Sequence, residues 1–153
     1  MSINFSKVYG DVTVEVWSGR IGDIALAKIG PVIAAAYPTK SEAAYPMSNY
    51  MVVAHMDGAV VGGMFLLMSS SWDESDVTTA NEAVLPTHQR RGIGSKMYDG
   101  LKLWAATAEE RVKIIYSHVD VGDKVGEAFI SKQDGFSQTE ENDKELTFEY
   151  VCG

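Results

Sequence analysis

The chain has 153 residues, of which 46% are hydrophobic and 22% are charged, as is ordinary for one globular domain with its own core. The formal net charge of −8 argues against general nucleic-acid binding, and it is compatible with a cationic small molecule or peptide as partner or with an acidic surface that serves solubility alone. The single Cys152 excludes an internal disulfide, and the longest apolar run is too short to cross a membrane. We therefore expect one cytoplasmic domain over residues 1–153, with no nucleic-acid partner, no membrane partner and no secretory signal.

Strand-like and helix-like patterns alternate along the chain. Alternating apolar residues predict strands, and apolar residues three or four positions apart predict helices. In chain order the pattern predicts a strand at 12–17, a helix at 19–37, strands at 50–55, 60–68 and 77–85, a helix at 92–111, a strand at 112–121, a helix at 124–132, and strands at 136–139 and 145–151. This order predicts an α/β fold: a single-domain mixed sheet with helices on both faces and a parallel strand pair in the middle.

Local signals refine several of these elements. Pro31 predicts a kink or a break in the first helix, and Asp57-Gly58 predicts a hairpin turn. Gly62-Gly63 indicates a bulge or a close backbone approach. Residues 69–76 are polar and predict a connection, whereas the apolar content of 112–121 predicts a strand buried on both faces.

The clearest ligand signal lies between the strand at 77–85 and the helix that follows it. Gly92 and Gly94 stand where the chain leaves a basic turn and enters the helix. The first N–H groups of a helix lack partners inside it, and together with the helix dipole they form an anion site. Glycines let a ligand approach the backbone, and Arg90 and Arg91 add positive charge. The pattern predicts a site for a pyrophosphate.

Two common phosphate-binding motifs do not fit this segment. A Walker A loop ends in Gly-Lys-Ser/Thr, but here Gly94 is followed by Ser95-Lys96, and position 89 is not glycine. A dinucleotide fingerprint needs a third glycine where Met97 stands. Both motifs are therefore excluded by their spacing.

The pattern Gln89-x-x-Gly92-x-Gly94, with Val84-x-Pro86 upstream, resembles the acetyl-CoA signature of the GNAT N-acetyltransferase family. The order of elements is similar to the family's from about residue 12 to residue 151, and a Gly-Phe pair follows the last helix at 135–136. The resemblance implies a splayed parallel pair, acetyl-CoA as co-substrate and a strand bulge beside the thioester. The implied cofactor-binding residues are Val84 and Leu85 at the bulge and Gln89, Arg90, Arg91, Gly92, Ile93, Gly94 and Ser95 in the loop.

Glu82 is the first candidate for the general base that an attacking amine needs. Alternation places it on one face with Val84, and a carboxylate in a half-buried cleft can work near neutral pH. The alternative is a cross-strand salt bridge or a solvated position. His118, on one face with Tyr116, could take or relay the proton, or could simply be packed and hydrogen-bonded. Three scattered histidines and one cysteine lack the spacing of a metal site.

One position departs from the family pattern. Many members have a tyrosine four residues before the Gly-Phe pair, which donates a proton to the leaving thiolate, and that position holds Ser131 here. A serine hydroxyl is a poorer acid than a phenol, so Tyr116 or a water could take over this role.

The resemblance implies transfer of an acetyl group to a primary amine of a small molecule or a protein, with a homodimer as a further expectation. The acceptor should be chosen by the loops at 37–49 and 69–76 and by the loop before the last strand, with Tyr37, Glu42, Tyr45, Trp72, Asp73 and Glu74 as the residues that could shape a pocket for a cation. Two alternatives stay open at this point. One is a catalytically weak acyl-CoA-binding or inhibitor module, and the other is an interaction domain whose loop binds no ligand.

Overall fold

A computed structural model describes residues 2–19, 22–38, 49–71, 74–108 and 111–152. The described residues form eight strands, four α-helices and one short 3-10 turn. The elements are β1 (Ser2–Tyr9), β2 (Val12–Ser18), α1 (Gly22–Lys28), α2 (Gly30–Ala36), β3 (Tyr50–Met56), β4 (Ala59–Ser71), β5 (Glu74–Val84), the 3-10 turn (Pro86–His88), α3 (Ile93–Thr107), β6 (Val112–Asp120), α4 (Lys124–Ser131), β7 (Ser137–Glu141) and β8 (Glu145–Val151).

All eight strands belong to one mixed sheet in the order β1-β2-β3-β4-β5-β6-β8-β7. Strands β5 and β6 are parallel, and the other neighbouring pairs are antiparallel. The predicted α/β fold, with a parallel pair inside a mixed sheet, is therefore confirmed.

Helices cover both faces of the sheet, as predicted. Helices α3 and α4 pack on one face through buried residues that include Met97, Leu101, Trp104 and Ile130. Helices α1 and α2 pack on the other face through Ala25, Ile29, Val32 and Ile33. Burying such a side chain contributes about 1.5–3 kcal/mol, so the two apolar layers hold the sheet between them.

Several local predictions are also confirmed. The first helix breaks between Lys28 and Gly30, close to Pro31. Asp57 and Gly58 both have positive φ, at 50° and 79°, as a type I′ hairpin turn requires. Gly63 permits a close approach, because a Cβ there would lie 2.8 Å from the Cβ of Ile29. Residues 39–48 of the loop predicted at 37–49 lie outside the described residues. No helix in the described ranges is long and apolar enough to span a bilayer.

Three predictions were wrong. Strand β1 was not predicted, because it is an edge strand whose side chains are mostly exposed and therefore show no apolar alternation. Residues 69–76 are not simply a connection, because β4 and β5 extend into them and Ser70 pairs with Ser75. Strand β6 is buried on one face only: Ile115 and Ser117 are buried, whereas His118 is exposed. Among the described residues, none from β6 packs in the α1–α2 layer.

Candidate active site

The parallel strands β5 and β6 separate partway along their length. Their ladder runs from Ser75 opposite Val112 to Thr78 opposite Tyr116 and goes no further. Beyond that point β5 stays paired with β4, and β6 stays paired with β8. The predicted splay is therefore present, and it leaves a gap between the last residues of the two strands.

A β-bulge lies beside this gap, at residues 81–82. Phe65 of β4 is opposite Ala80 and Gly63 is opposite Ala83, so two residues of β5 face one residue of β4. The extra residue Asn81 has φ +56°, a left-handed conformation that asparagine tolerates better than most residues. The bulge was predicted near Val84 and Leu85, and it lies two to three residues earlier in the chain.

The bulge turns Glu82 toward α3. Val77 and Val84 both pack in the α3 layer, whereas Ala80 and Ala83 pack against the α1–α2 layer. Without the bulge, strict alternation from Val77 would place residue 82 on the α1–α2 face. With it, Glu82 shares the α3 face with Val84, as predicted, and the carboxylate is half-buried.

Three hydroxyl groups surround the Glu82 carboxylate, and all of them contact Oε1. The Thr79 hydroxyl donates to Oε1 at 2.6 Å and the Ser117 hydroxyl donates at 3.2 Å. The Tyr98 hydroxyl, from α3, donates a short hydrogen bond to the same oxygen. The Tyr37 hydroxyl donates to the backbone oxygen of Glu82 at 2.6 Å. Elements distant in sequence therefore converge on this one residue.

Tyr98 is fully buried at the centre of this cluster. Burial and then the nearby Glu82 charge raise the pKa of Tyr98 well above its usual value, although Ser117 and Thr79 act the other way. Burial, Glu82 and Asp123 also raise the pKa of Tyr37. Both phenols therefore keep their protons at neutral pH and act as donors.

The raised pKa of Tyr98 predicts a loss of stability in alkali. In the unfolded chain this phenol ionises near pH 10, whereas in the folded chain it keeps its proton. The unfolded state then binds fewer protons, so the free energy of unfolding falls above about pH 10, at up to about 1.4 kcal/mol per pH unit for this group. The free energy of unfolding, measured by urea titration between pH 8 and about pH 11, should decline less steeply with pH in Tyr98→Phe than in the native protein. Parallel declines in both proteins would contradict the prediction.

The predicted phosphate loop forms the turn between β5 and α3. Gly92 precedes α3 with φ +77°, is exposed, and has no atom within 4 Å of where a Cβ would lie. The first hydrogen bond of the helix runs from the Lys96 N–H to the Gly92 oxygen. The N–H groups of residues 93–95 thus precede the helical ladder, as an anion site requires. Arg90 and Arg91 are exposed beside them.

Not every residue of this loop faces outward. The Ile93 side chain is 2% exposed and packs in the α3 layer, so only its backbone can meet a ligand. A Cβ at Gly94 would lie 2.9 Å from the Phe129 ring, so the missing side chain admits α4 rather than a ligand. Gln133 donates to the Ser95 hydroxyl at 3.1 Å. The packing of Phe129 on Gly94 and the hydrogen bond from Gln133 to Ser95 hold the end of α4 against the first turn of α3.

The backbone of Val84 points into the gap. Leu85 N–H donates to Val61 O at 2.8 Å, so the next residue pair, Val84 and Gly62, is a pair without ladder hydrogen bonds. The N–H and C=O of Val84 must then point away from β4, toward β6. The C=O accepts a hydrogen bond from Gln89 Nε2 at 3.1 Å. The Val84 N–H points into the gap, where it is placed to donate a hydrogen bond to a ligand oxygen.

His118 and Tyr116 lie on the face of β6 opposite to Ser117, away from α3. His118 Nδ1 is 3.0 Å from Thr147 Oγ1 and 3.6 Å from Glu145 Oε1. Burial, Asp76 and Glu149 raise the pKa of Tyr116. The structure does not bring these two residues to Glu82, so His118 is the weaker candidate for the base.

The remaining predicted residues fall in different places. Ser131 is the last residue of α4, and it is exposed. Its position therefore differs from that of a proton donor buried beside a thiolate. Tyr37 follows α2, and its bond to Glu82 brings it to the site. Glu42, Tyr45, Trp72 and Asp73 lie outside the described residues, and only the backbone of Glu74 is described. The described residues contain no group of three or more His, Cys, Asp or Glu that could hold a metal ion.

Three residues whose side chains contact the Glu82 carboxylate were not predicted from the sequence, namely Thr79, Tyr98 and Ser117. One signal pointed to them. Tyr98 follows Gly94 by one helical turn, on the buried side of α3, and a buried phenol needs a hydrogen-bond partner. That requirement indicated a polar group beneath α3, and Glu82 is that group.

The family of this chain follows from these features and from the sequence comparison. The family model described as Acetyltransferase (GNAT) family matches residues 27–136, which include α2, the bulged strand, the loop and α4. The chain belongs to this family of acetyltransferases. No protein among those with curated descriptions matches it.

Solved structures of similar fold come from several organisms. Naa50 from Arabidopsis thaliana, in complex with the bisubstrate analogue CoA-Ac-MVNAL, is 18% identical with a TM-score of 0.67, over 90% of this chain and 98% of that chain. A GNAT family acetyltransferase from Elizabethkingia anophelis with acetyl-CoA bound is 15% identical with a TM-score of 0.68, over 94% and 100%. The ribosomal-protein-S18-alanine N-acetyltransferase from Escherichia coli is 16% identical with a TM-score of 0.62, over 92% and 94%. These identities are low and establish a common fold.

Proposed function

We propose that this protein transfers the acetyl group of acetyl-CoA to a primary amine, with Glu82 as the general base, and that the preferred acceptor is cationic. The observation on which this rests is the position of Glu82 at the bulge, beside the gap into which the Val84 N–H points. A base and an oxyanion donor then lie at the same opening. The Gly92 loop continues from the same strand and suits the pyrophosphate of the co-substrate.

The reaction follows from these positions. Glu82 removes a proton from the acceptor ammonium, and the free amine attacks the thioester carbonyl. The C–N bond forms while the carbonyl oxygen gains charge beside the Val84 N–H. The C–S bond then breaks, and the thiolate leaves with a proton from the attacking nitrogen or from water. Ser131 is exposed, so water is the better candidate for this last donor.

Negative charge near the mouth of the gap favours a cationic acceptor. The ladder between β5 and β6 ends at Tyr116, whose phenol interacts with Asp76, Glu149 and Glu140. Asp123, at the start of α4, interacts with the Tyr37 phenol. Tyr116 and the carboxylates around it lie on the face of the sheet opposite to α3, so an acceptor that enters the gap from that face would bring a second positive charge near them while its amine reaches Glu82.

Acceptor choice tests this proposal. A short linear diamine should have a kcat/KM about fivefold or more above that of the monoamine of equal chain length, because the second ammonium contacts carboxylates. The advantage should shrink at high salt and in Glu149→Gln, which removes one of these charges. Equal values for the two amines at low salt would contradict the cationic preference.

A second candidate function is an acyl-CoA-binding protein with weak catalysis. It is favoured by one observation, the exposed Ser131 at the position of the family's thiolate donor. Acetyl-CoA binding without amine-dependent turnover would support it. The homodimer and the cytoplasmic location stay predictions.

A further inference from the structure

Glu82 receives all its side-chain hydrogen bonds within the described residues on one oxygen. Thr79, Tyr98 and Ser117 all donate to Oε1, from β5, α3 and β6. Three donors aimed at one oxygen favour the charged carboxylate over the neutral acid, because hydrogen bonds to a charged oxygen are stronger, and they leave Oε2 as the oxygen open to a proton. The other oxygen, Oε2, is left without a donor from the described side chains.

We infer that Thr79, Tyr98 and Ser117 are positioning residues that hold Glu82 ionised through Oε1, so that Oε2 is the atom that takes the proton from the acceptor amine. The inference rests on the proposed function, in which Glu82 is the base. Beyond that function, the inference assigns the oxygen of Glu82 that reacts and the residues that keep this carboxylate ready to react.

The donors differ in strength and in how firmly they are placed. Tyr98 is fixed by packing, because its ring lies 5.8 Å from the Phe129 ring and 5.4 Å from the Phe136 ring, centre to centre. Thr79 donates at 2.6 Å and is buried, whereas the Ser117 bond is longer, at 3.2 Å. We therefore expect the effects of removal to rank Tyr98 and Thr79 above Ser117.

The other ionisable groups near Glu82 do not titrate in the range that matters. In the described part of the chain, two ionisable groups interact with Glu82: Tyr98 of α3 and Tyr37, which follows α2. Asp123, which precedes α4, interacts with Tyr37. The pKa of each phenol is raised above 10. The acid limb of the rate profile is the range in which kcat/KM falls as the pH is lowered. If this limb lies below about pH 9, it does not come from the ionisation of these phenols.

The test is the pH dependence of kcat/KM for amine acetylation. Tyr98→Phe removes the hydroxyl and keeps the ring, and Thr79→Val keeps the shape. Each should move the acid limb to higher pH by about one unit, because a donor to the charged carboxylate is lost. At neutral pH kcat should fall roughly tenfold or more, with KM for acetyl-CoA unchanged. Thr79→Ser, which restores a hydroxyl, should return the limb toward the native position.

Tyr9→Phe is the matched control. It also removes a buried phenolic hydroxyl, one that has no hydrogen-bond partner among the described residues, and it lies on β1 at the far edge of the sheet. Its acid limb should stay at the native pH. Thermal unfolding of each variant shows whether it is folded, and Thr79→Val serves as the test if Tyr98→Phe does not fold.

The outcomes separate this inference from the proposed function. If Glu82→Gln abolishes turnover but folded Tyr98→Phe and Thr79→Val keep the native acid limb, the hydroxyl cluster is structural and this inference is wrong. If Glu82→Gln keeps native turnover, the assignment of the base itself is wrong. Loss of turnover in Glu82→Gln together with shifted acid limbs in both hydroxyl variants supports both.

Discussion

Glu82→Gln is expected to lower kcat for amine acetylation by about 10²–10⁴-fold, the usual contribution of a general base. Glutamine keeps the shape of the side chain, and its carbonyl oxygen can still accept the bonds that now reach Oε1. The fold and the loop should therefore be preserved, and acetyl-CoA should bind with unchanged Kd. The residual rate should rise about tenfold per pH unit, because the variant depends on amine that has already lost its proton.

Steady-state kinetics over a pH series, with calorimetric titration of acetyl-CoA, measures both effects. Glu15→Gln is the matched control, since this carboxylate lies on β2 and pairs with His55 at 3.2 Å, three strands away from β5. Its kinetics should equal those of the native protein. If Glu82→Gln turned over at the native rate while remaining folded, Glu82 would not be the base.

Gly92→Glu is expected to weaken acetyl-CoA binding by about 100-fold or more. The substitution places a carboxylate among backbone N–H groups that are available to a pyrophosphate, and two like charges about 4 Å apart repel by up to about 4 kcal/mol near a protein surface. The left-handed φ of +77° adds strain of about 1–2 kcal/mol, which is too little to unfold a typical domain. Calorimetric titration measures the change in Kd.

Gly10→Glu controls for both the strain and the charge. Gly10 also has a positive φ, at +67°, and open space around it, but it lies in the turn between β1 and β2. This turn is at least three strands from β5, or roughly 14 Å. Gly10→Glu should bind acetyl-CoA like the native protein. If Gly92→Glu bound acetyl-CoA with the same Kd as the native protein, acetyl-CoA would not bind at this loop.

The order of elements could be predicted from the sequence because most of them are amphipathic. Alternation marked β2, the Asp-Gly turn marked the hairpin of β3 and β4, helical spacing marked α3, and two glycines marked the loop before it. Strand β1 gave no such signal, because an edge strand with exposed side chains has no apolar face. The serine-rich ends of β4 and β5 were missed for the same reason: their pairing comes from the backbone and not from apolar residues.

The candidate site was only partly predictable. Glu82 and the loop could be named, because a carboxylate and two glycines stand at a strand–helix junction. The bulge at Asn81 could not be placed, since an extra residue in a strand shows itself only against the partner strand. The donors to Glu82 come from positions as far apart as Thr79 and Ser117, and only the folded chain brings them together. No local pattern encodes such a cluster.

The most direct test of the whole account is to measure both products of one reaction. Purified protein is mixed with acetyl-CoA and a short diamine, and free coenzyme A thiol and N-acetylated amine are quantified together. We predict that both form in equal amounts at a rate that depends on the amine. Tight binding of acetyl-CoA with no acetylated amine, and thiol release no faster than without protein, would contradict transferase activity and leave an acyl-CoA-binding protein.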